Sequence, residues 1–252
     1  MNLDVIFYHI EKCAGTSIRK FLYDFFKEIY SKEQLLIIGY GCAIGKYADV
    51  QKLLCNNKNG WNQINEKYGK DFFLNIKVLA CHMNFISNIQ PKLSIICVRD
   101  PISRLISHYV AFDKKIYDNK RLDEFSEFEL QQYCLSIGNV MTYRLSGGNG
   151  NLTDAIINIQ KIDIILIYEM FDLSFENLTH HLIKKYHMEN LYIPTISIEN
   201  SNSEKDKYST EFLNKLRKYC VNDYEIYKYC IDLFNMKFYG GYLNNFPLEL
   251  NQ

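Results

Sequence analysis

The sequence predicts an α/β fold in which an open, mainly parallel sheet is flanked by helices and followed by a helix-rich C-terminal third. The first observation is a set of short apolar runs without polar alternation, as expected of strands covered on both faces. The second is that segments with helical spacing fill the gaps between these runs, the order of a parallel sheet with crossover helices. The third is size, because 252 residues that are 48% hydrophobic can bury the core of one domain. We therefore assign residues 1–252 to a single domain.

The elements follow from the spacing of apolar residues along the chain. Strands are predicted at residues 5–10, 76–81, 93–98 and 162–167, and residues 35–38 form a further short apolar run. The first helix is predicted where apolar positions recur from Ile18 to Ile29. Further helices are predicted at residues 103–114, 122–137, 152–159, 171–186 and 210–234. Residues 56–69 are predicted to form a polar loop with a helical turn, and residues 198–208 a surface loop.

The net charge and the cysteine pattern limit the kinds of partner and the cellular compartment that we expect for this protein. Lys plus Arg and Asp plus Glu both total 29, so the net charge is zero and nothing global indicates a nucleic acid or a membrane surface. The chain is predicted to enter its first strand by residue 4, leaving no room for a signal peptide or a membrane anchor, and the longest apolar runs are strand-length. The eight cysteines show no C-x-x-C pair and no Cys/His ligand spacing. We expect a cytoplasmic protein with reduced cysteines, no metal site and no transmembrane segment.

A tight turn of small and polar residues joins the first predicted strand to the first predicted helix. It consists of Lys12, Cys13, Ala14, Gly15, Thr16 and Ser17. Small residues let the backbone approach a ligand, and the N–H groups of a helix start attract anions. Lys12 adds a mobile positive charge, and the two hydroxyls add donors. The turn therefore predicts an anion site, with an ordinary helix cap beside a surface lysine as the alternative.

A second group of polar residues, within VRDPISRLISHY at residues 98–109, follows directly on another predicted strand. Pro101 suits the first turn of a helix, so Arg99 lies at the strand end and Ser107 about two turns into the helix. A guanidinium fork and a hydroxyl that reach the same space are suited to a terminal phosphate. The alternative is that Arg99 pairs with Asp100 or a neighbour while Ser107 faces solvent.

The two motifs resemble those of sulfotransferases that use 3′-phosphoadenosine 5′-phosphosulfate, most closely the heparan sulfate 2-O and 6-O branch of sulfotransferase family 2. The 5′-phosphosulfate loop of that branch, H-I-P-K-x-x-G-T-[ST], matches residues 9–17, HIEKCAGTS, except that Glu11 replaces the proline. Its 3′-phosphate motif is R-D-P-x-x-R-x-x-S-x-Y. The resemblance implies a P-loop-NTPase-like fold and a metal-independent reaction that releases adenosine 3′,5′-bisphosphate. It also implies a 3′-phosphate held by Arg99 and Ser107, with Arg104 in support.

Sulfuryl transfer needs a base for the acceptor hydroxyl and a cation for the leaving phosphate. Lys12 is the predicted cation. His82 is the predicted base, because it follows the strand at 76–81 and so meets the two motifs at the same edge of a parallel sheet. The segment ACHMNF also resembles the family's G-H-x-x-[FY], with Cys81 in place of the glycine. A structural role is the alternative for a single histidine after an apolar strand.

Other residues are assigned lesser parts. His9 is expected to orient the loop, and His108 and Glu11 are the next candidates for the base. Residues 139–147, 165–178 and 222–227 resemble further family segments, and these weaker matches support the fold more than the chemistry.

The leading hypothesis is an enzyme that passes a sulfuryl group to a hydroxyl of an acceptor, for which a saccharide is expected. A nucleotide-dependent kinase on a related fold stays open, although it would need a Gly-Lys-Ser/Thr loop and a carboxylate for magnesium. So does a non-catalytic protein that binds a nucleotide or a glycan. Basic pairs at residues 114–115, 120–121 and 184–185 could serve a glycosaminoglycan, but with zero net charge the default for each is a solvated face. A neutral saccharide or a small hydroxylated metabolite is an equal alternative. The oligomeric state is not indicated.

Overall fold

The computed structural model describes residues 3–38, 50, 53–54, 60–69, 72, 74–188 and 204–239. Within them the strands form a single parallel sheet in the order β2-β3-β1-β4-β5. Because all strands run the same way, their carboxyl ends meet at one edge. The predicted fold class is confirmed, and the apolar run at residues 35–38 supplies the edge strand β2. The strand bounds are β1 (Val5–Tyr8), β2 (Leu35–Ile37), β3 (Val78–Cys81), β4 (Leu93–Val98) and β5 (Ile164–Ile167).

Helices cover both faces of the sheet and make up most of the described C-terminal third. A π-helical turn, Tyr109–Asp113, continues α3, and 3₁₀ turns lie at Lys32–Gln34, Leu122–Glu124, Tyr168–Met170 and Glu204–Lys207. The predicted surface loop at residues 198–208 lies outside the described residues as far as residue 203. The helix bounds are α1 (Gly15–Phe26), α2 (Gly60–Tyr68), α3 (Pro101–His108), α4 (Glu127–Ile137), α5 (Val140–Leu145), α6 (Leu152–Ile159), α7 (Phe171–Tyr186), α8 (Thr210–Arg217) and α9 (Val221–Tyr239).

Two helices begin at other residues than predicted, because capping residues determine where they start. The helix predicted at 103–114 begins earlier, at Pro101, because proline fits the first turn and the preceding aspartate caps it. The helix predicted at 122–137 is divided, and α4 begins only after Ser126. There the Ser126 hydroxyl accepts from the Glu129 amide at 3.3 Å and the Glu129 carboxylate accepts from the Ser126 amide at 2.8 Å. This capping box starts a new helix that hydrophobic spacing does not reveal.

Two further predictions were wrong in extent. The helix predicted at 210–234 is two helices, because Asn139 binds at the break between them. Its side chain donates to the Tyr219 carbonyl at 3.0 Å and accepts from the Asp223 amide at 3.1 Å. Within residues 56–69, predicted as a loop, the described part is mostly the nine-residue helix α2. Its polar composition hid an amphipathic pattern that a single buried face is enough to support.

The hydrophobic core has two parts. The larger part surrounds the sheet, whose strands are buried along their whole length, and includes Ile18, Leu22 and Phe25 of α1. The smaller part lies between α3, α4 and α8 and includes Leu105 and Leu130. Burial of a large apolar side chain stabilises a fold by about 1.5–3 kcal/mol. The carboxyl ends of the strands, where the two motifs lie, are therefore supported by a well-packed core.

The cysteines of the described residues are free thiols and are buried: Cys13, Cys81, Cys97, Cys134, Cys220 and Cys230. Cys42 and Cys55 lie outside the described residues. Within the described residues, no group of three or more His, Cys, Asp or Glu side chains is arranged to hold a metal ion. None of the described helices has both the length and the apolar composition needed to cross a membrane.

Candidate active site

The turn between β1 and α1 is held in an uncommon backbone conformation. Lys12 has φ 67° and Ala14 has φ 54°, both in the left-handed region that non-glycine residues rarely adopt. Ala14 is the N-cap of α1 and provides no side-chain hydrogen bond to the helix start. Such strain persists where the surrounding structure imposes it, and it is concentrated at functional sites. The turn thus presents the start of α1, without a side-chain cap, at the carboxyl edge of the sheet.

Gly15 leaves the space that the His9 ring occupies. A Cβ atom at position 15 would lie 1.7 Å from His9 Nε2, so no other residue fits without moving the ring. The His9 ring stacks on His82 with 3.8 Å between ring centroids and 24° between planes. Burial, followed by the nearby His82 and Arg19, holds the pKa of His9 well below its usual value. His9 is thus a neutral ring packed between Gly15 of the turn and His82.

One cavity at the carboxyl ends of the strands is lined by nearly all of the residues proposed from the sequence. Among the residues of the turn, Cys13 is the exception, because its side chain is fully buried beneath the turn. Its amide donates to the Ile10 carbonyl at 3.4 Å, and burial raises the pKa of its thiol. The thiol therefore does not reach the cavity. Among the described residues, the cavity is lined by His9, Glu11, Lys12, Ala14, Gly15, Thr16, Ser17, Arg19, His82, Arg99, Ser107, Phe112 and Tyr168.

His82 is oriented by a backbone carbonyl. Its Nδ1 lies 3.1 Å from the carbonyl oxygen of His9. Because that oxygen can only accept, Nδ1 carries the proton and Nε2 carries the lone pair. Burial lowers the pKa of His82, while the Glu11 carboxylate, 3.8 Å from Nδ1, acts in the opposite direction. His82 is thus set up as a neutral imidazole that can accept a proton. His108 does not line the cavity, and its Nδ1 lies 3.1 Å from the Asp113 carboxylate.

The carboxylate that replaces the proline in the turn is neutralised by a residue from far along the chain. Glu11 forms an ion pair with Arg144, which lies in α5, and both side chains are largely buried, at 17% and 14% exposed. The same guanidinium donates from Nη1 to Asn84 Oδ1 at 3.1 Å. Although burial raises the pKa of Glu11, the hydrogen bond and charge of Arg144 bring it below its usual value. Glu11 is therefore a paired anion and does not cancel the cations of the cavity.

Arg99 is positioned by the turn itself. Its Nη1 donates to the Lys12 carbonyl at 3.1 Å, and its guanidinium carbon lies 4.0 Å from the centre of the Tyr168 ring. Within the described residues, its buried Nε has no hydrogen-bond partner. Burial, followed by the charge of Arg99, lowers the pKa of Lys12. Two cations that repel each other across a cavity are an arrangement that a multiply charged anion would relieve.

The alternative in which Arg99 pairs with Asp100 is wrong. Asp100 instead caps α3, where it accepts from the Ser103 amide at 2.8 Å and hydroxyl at 2.7 Å. It also lies 3.2 Å from Lys205 Nζ. Ser107, for which solvent exposure was the alternative, lines the cavity.

Arg104, predicted to support the 3′-phosphate site, lies in the core and does not line the cavity. It is fully buried, and its Nε lies 3.9 Å from the carboxylate of Asp223, which is also fully buried. It also donates to the Ile137 carbonyl. Arg104 therefore holds α3 against α9 and against the end of α4.

Three residues that line the cavity were missed in the sequence. Tyr168 directly follows β5, so its place at the carboxyl edge is the signal by which it could have been found. Arg19 lies one turn after Gly15 on α1, and its Nε donates to the Gly15 carbonyl at 3.3 Å. Phe112 lies in the π-helical turn, 5.4 Å from Lys12 Nζ to the ring centre. No local pattern predicts that turn, so Phe112 could not have been found.

The comparisons with known proteins agree with the geometry at the family level. The model of the Sulfotransferase family matches residues 2–230, a range that includes the turn, both motifs, His82 and every strand described above. No curated protein matches the chain. Because the family match extends over most of the sequence and the site lies within it, the chain belongs to the sulfotransferase family.

Proposed function

We propose that this protein is an enzyme that transfers a sulfuryl group from 3′-phosphoadenosine 5′-phosphosulfate to a hydroxyl group of an acceptor, and that the acceptor is a saccharide. The observation that carries the proposal is the shared cavity. Lys12, His82, Arg99 and Ser107 come from three separate parts of the sequence and line the same space.

The cavity has the charge and the donors that the donor substrate requires. Lys12, Arg19 and Arg99 line it, and its one carboxylate among the described residues, Glu11, is paired with Arg144. The start of α1 and the hydroxyls of the turn are suited to the 5′-phosphosulfate. Arg99 can hold the 3′-phosphate with the donors that the Lys12 carbonyl leaves unused, and Ser107 adds a hydroxyl.

The proposed step uses His82 and Lys12 in complementary ways. His82 Nε2 takes the proton of the acceptor hydroxyl as the bond from that oxygen to sulfur forms. The bond from sulfur to the 5′-phosphate oxygen breaks, and Lys12 stabilises the charge that develops on this phosphate. The products are the sulfated acceptor, adenosine 3′,5′-bisphosphate and a proton on His82. The Nδ1–H bond to the His9 carbonyl keeps Nε2 as the accepting atom throughout.

The first test is of the donor site. We expect adenosine 3′,5′-bisphosphate to bind much more tightly than 5′-AMP in calorimetry, because each charged hydrogen bond lost costs about 1.5–3 kcal/mol. Arg99→Ala should remove most of this difference. Equal affinity of the unaltered protein for the two nucleotides would contradict the 3′-phosphate site.

The second test is of the base. His82→Ala should keep its affinity for adenosine 3′,5′-bisphosphate while sulfate transfer falls by about 10²–10⁴-fold. His108→Ala is the matched control, because His108 lies outside the cavity, and it should transfer sulfate normally. Transfer by His82→Ala at the unaltered rate would place the base elsewhere. Transfer of the γ-phosphate of ATP, lost in Lys12→Ala, would replace the proposal with a kinase.

A further inference from the structure

Tyr168 lies beside the residue that is proposed to hold the 3′-phosphate. In the parallel pairing of β4 with β5, Val98 is opposite Ile167. The next residues along the chain, Arg99 and Tyr168, therefore leave the two strands side by side at the carboxyl edge of the sheet. Both line the cavity at this edge. The pairing of the two strands thus brings an aromatic ring to the proposed 3′-phosphate site.

The ring of Tyr168 restricts the plane of the Arg99 side chain. The guanidinium carbon lies 4.0 Å from the ring centre, which is a close cation–π contact. Arg99 is only 9% exposed, so little water competes with the ring for the face of the guanidinium. The same contact occupies the ring face towards Arg99, and that face is not available to the adenine base of a nucleotide.

A hydrogen bond to the turn fixes the guanidinium in the remaining direction. Nη1 of Arg99 donates to the Lys12 carbonyl at 3.1 Å. A single bond of this kind leaves the group able to rotate about the bond axis, and the ring of Tyr168 opposes that rotation. The buried Nε has no hydrogen-bond partner within the described residues. Because a buried donor without a partner is costly, the edge formed by Nε and Nη2 is suited to the two oxygens of a bound phosphate.

The strand ends that carry Arg99 and Tyr168 are also joined beyond the sheet. Glu169, the residue after Tyr168, accepts from the Asp100 amide at 2.9 Å and from the Tyr227 hydroxyl at 2.8 Å. The first of these bonds links the residue after Arg99 to the residue after Tyr168. The contact between guanidinium and ring is therefore set by two connected strand ends.

We infer that Tyr168 is a positioning residue, which aims the unused edge of Arg99 at the 3′ position and so makes the site select a 3′-phosphorylated nucleotide. The inference rests on the proposed donor, 3′-phosphoadenosine 5′-phosphosulfate. Charge alone attracts a phosphate at any position, whereas a bidentate fork in a fixed plane favours one position. An Arg99 that keeps its charge but loses the ring should still attract bisphosphates and should distinguish poorly between them.

The experiment compares two nucleotides of equal charge, adenosine 3′,5′-bisphosphate and adenosine 2′,5′-bisphosphate, by calorimetry. Their affinity ratio reports where the site holds the second phosphate and does not depend on how much charge the site carries. The proteins are the unaltered chain, Tyr168→Leu, Tyr168→Phe, which keeps the ring, and Tyr208→Leu. Tyr208 makes the same kind of contact with Arg121, at 5.0 Å, and neither residue lines the cavity, so Tyr208→Leu is the matched control. Binding of 5′-AMP is measured on each preparation.

The expected result is that the unaltered protein prefers the 3′,5′-bisphosphate and that Tyr168→Leu lowers this preference about tenfold. Tyr168→Phe should retain the preference, because the ring and not the hydroxyl contacts Arg99. Tyr208→Leu should also retain it. All four proteins should bind 5′-AMP equally, since the turn and the charge of Arg99 are unchanged.

Several outcomes would overturn the inference. One is an unchanged preference in Tyr168→Leu, and another is an equal loss in Tyr168→Phe, which would assign the effect to the hydroxyl. Loss of 5′-AMP binding in Tyr168→Leu would show that the ring supports the whole site and does not act through Arg99. Equal affinity of the unaltered protein for the two bisphosphates would show that Arg99 is not aimed at one position. If the unaltered protein bound neither bisphosphate, the proposed function itself would be overturned.

Discussion

Glu11, which stands where the similar family loop has proline, is neutralised by a partner far away in the sequence. A carboxylate beside a site for anions would ordinarily weaken binding, yet Arg144 pairs with it and also binds Asn84. What remains at the site is a second effect, because the Glu11 carboxylate lies 3.8 Å from His82 Nδ1 and favours the protonated imidazole. Glu11 therefore raises the proton affinity of His82, the proposed base.

This arrangement predicts the pH dependence of the reaction. As the proposed base, His82 must be neutral to take a proton, so activity should be lost as pH falls through its pKa, which burial sets below the usual 6.5. Glu11→Gln removes the charge that raises this pKa, so the acid limb of the kcat/KM profile should move to lower pH. Glu211→Gln, an exposed substitution on α8, should leave the profile unchanged. A shift to higher pH in Glu11→Gln would contradict this account of His82.

At the scale of elements, Asp223 is the point where three helices are joined. From α9 it accepts hydrogen bonds from the amides of Met141 at 3.0 Å and Thr142 at 2.7 Å, at the start of α5. Its carboxylate also faces Arg104 of α3 at 3.9 Å. Burial raises the pKa of Asp223, whereas the Arg104 charge acts to lower it. Both side chains are fully buried, so each charge depends on the other.

Removal of this carboxylate should be costly. Asp223→Ala leaves the Arg104 charge buried without its partner and the start of α5 uncapped, and loss of one member of a buried pair typically costs about 3–5 kcal/mol. We expect a fall of this size in the free energy of unfolding, measured by urea denaturation. Asp232→Ala, an exposed change on the same helix, should alter it by no more than about 0.5 kcal/mol. Similar losses of unfolding free energy in the two variants would show that the buried pair contributes no more to stability than an exposed carboxylate does.

At the scale of the whole molecule, the buried histidines couple stability to pH. Burial lowers the pKa of both His9 and His82, so the unfolded chain binds protons near pH 6.5 that the folded chain does not. Because the unfolded state then holds more protons, the free energy of unfolding should fall as pH drops below about 6.5. His108 has the same sign.

The check is urea denaturation between pH 7.5 and 5.5. His9→Asn should reduce the slope of stability against pH over this window, whatever it does to stability at pH 7.5. His187→Gln changes an exposed side chain and should retain the slope. A slope that His9→Asn leaves intact would mean that other groups account for the proton uptake.

The parts of the molecule that could be predicted are those with local signals. Short apolar runs that end in polar residues located the strands, and parallel strands bring Lys12, His82 and Arg99 to one edge whatever the loops do. Helix breaks were missed because they depend on caps such as Ser126, which hydrophobic spacing does not register. The Glu11–Arg144 pair could not be predicted, since its two members are 133 positions apart in the sequence and share no motif.

The buried thiol under the turn makes the turn's own opening measurable. Cys13 has no exposed surface, and burial raises the pKa of its thiol, so it is unreactive while the turn is closed. An alkylating reagent can therefore modify the thiol only when local opening separates the turn from the sheet. The rate of modification then reports the frequency of this opening. Adenosine 3′,5′-bisphosphate should slow the labelling of Cys13, followed by mass spectrometry of its peptide, because a ligand seated on the turn must leave before the turn can lift. The labelling rate of Cys13 thus measures how often the turn opens.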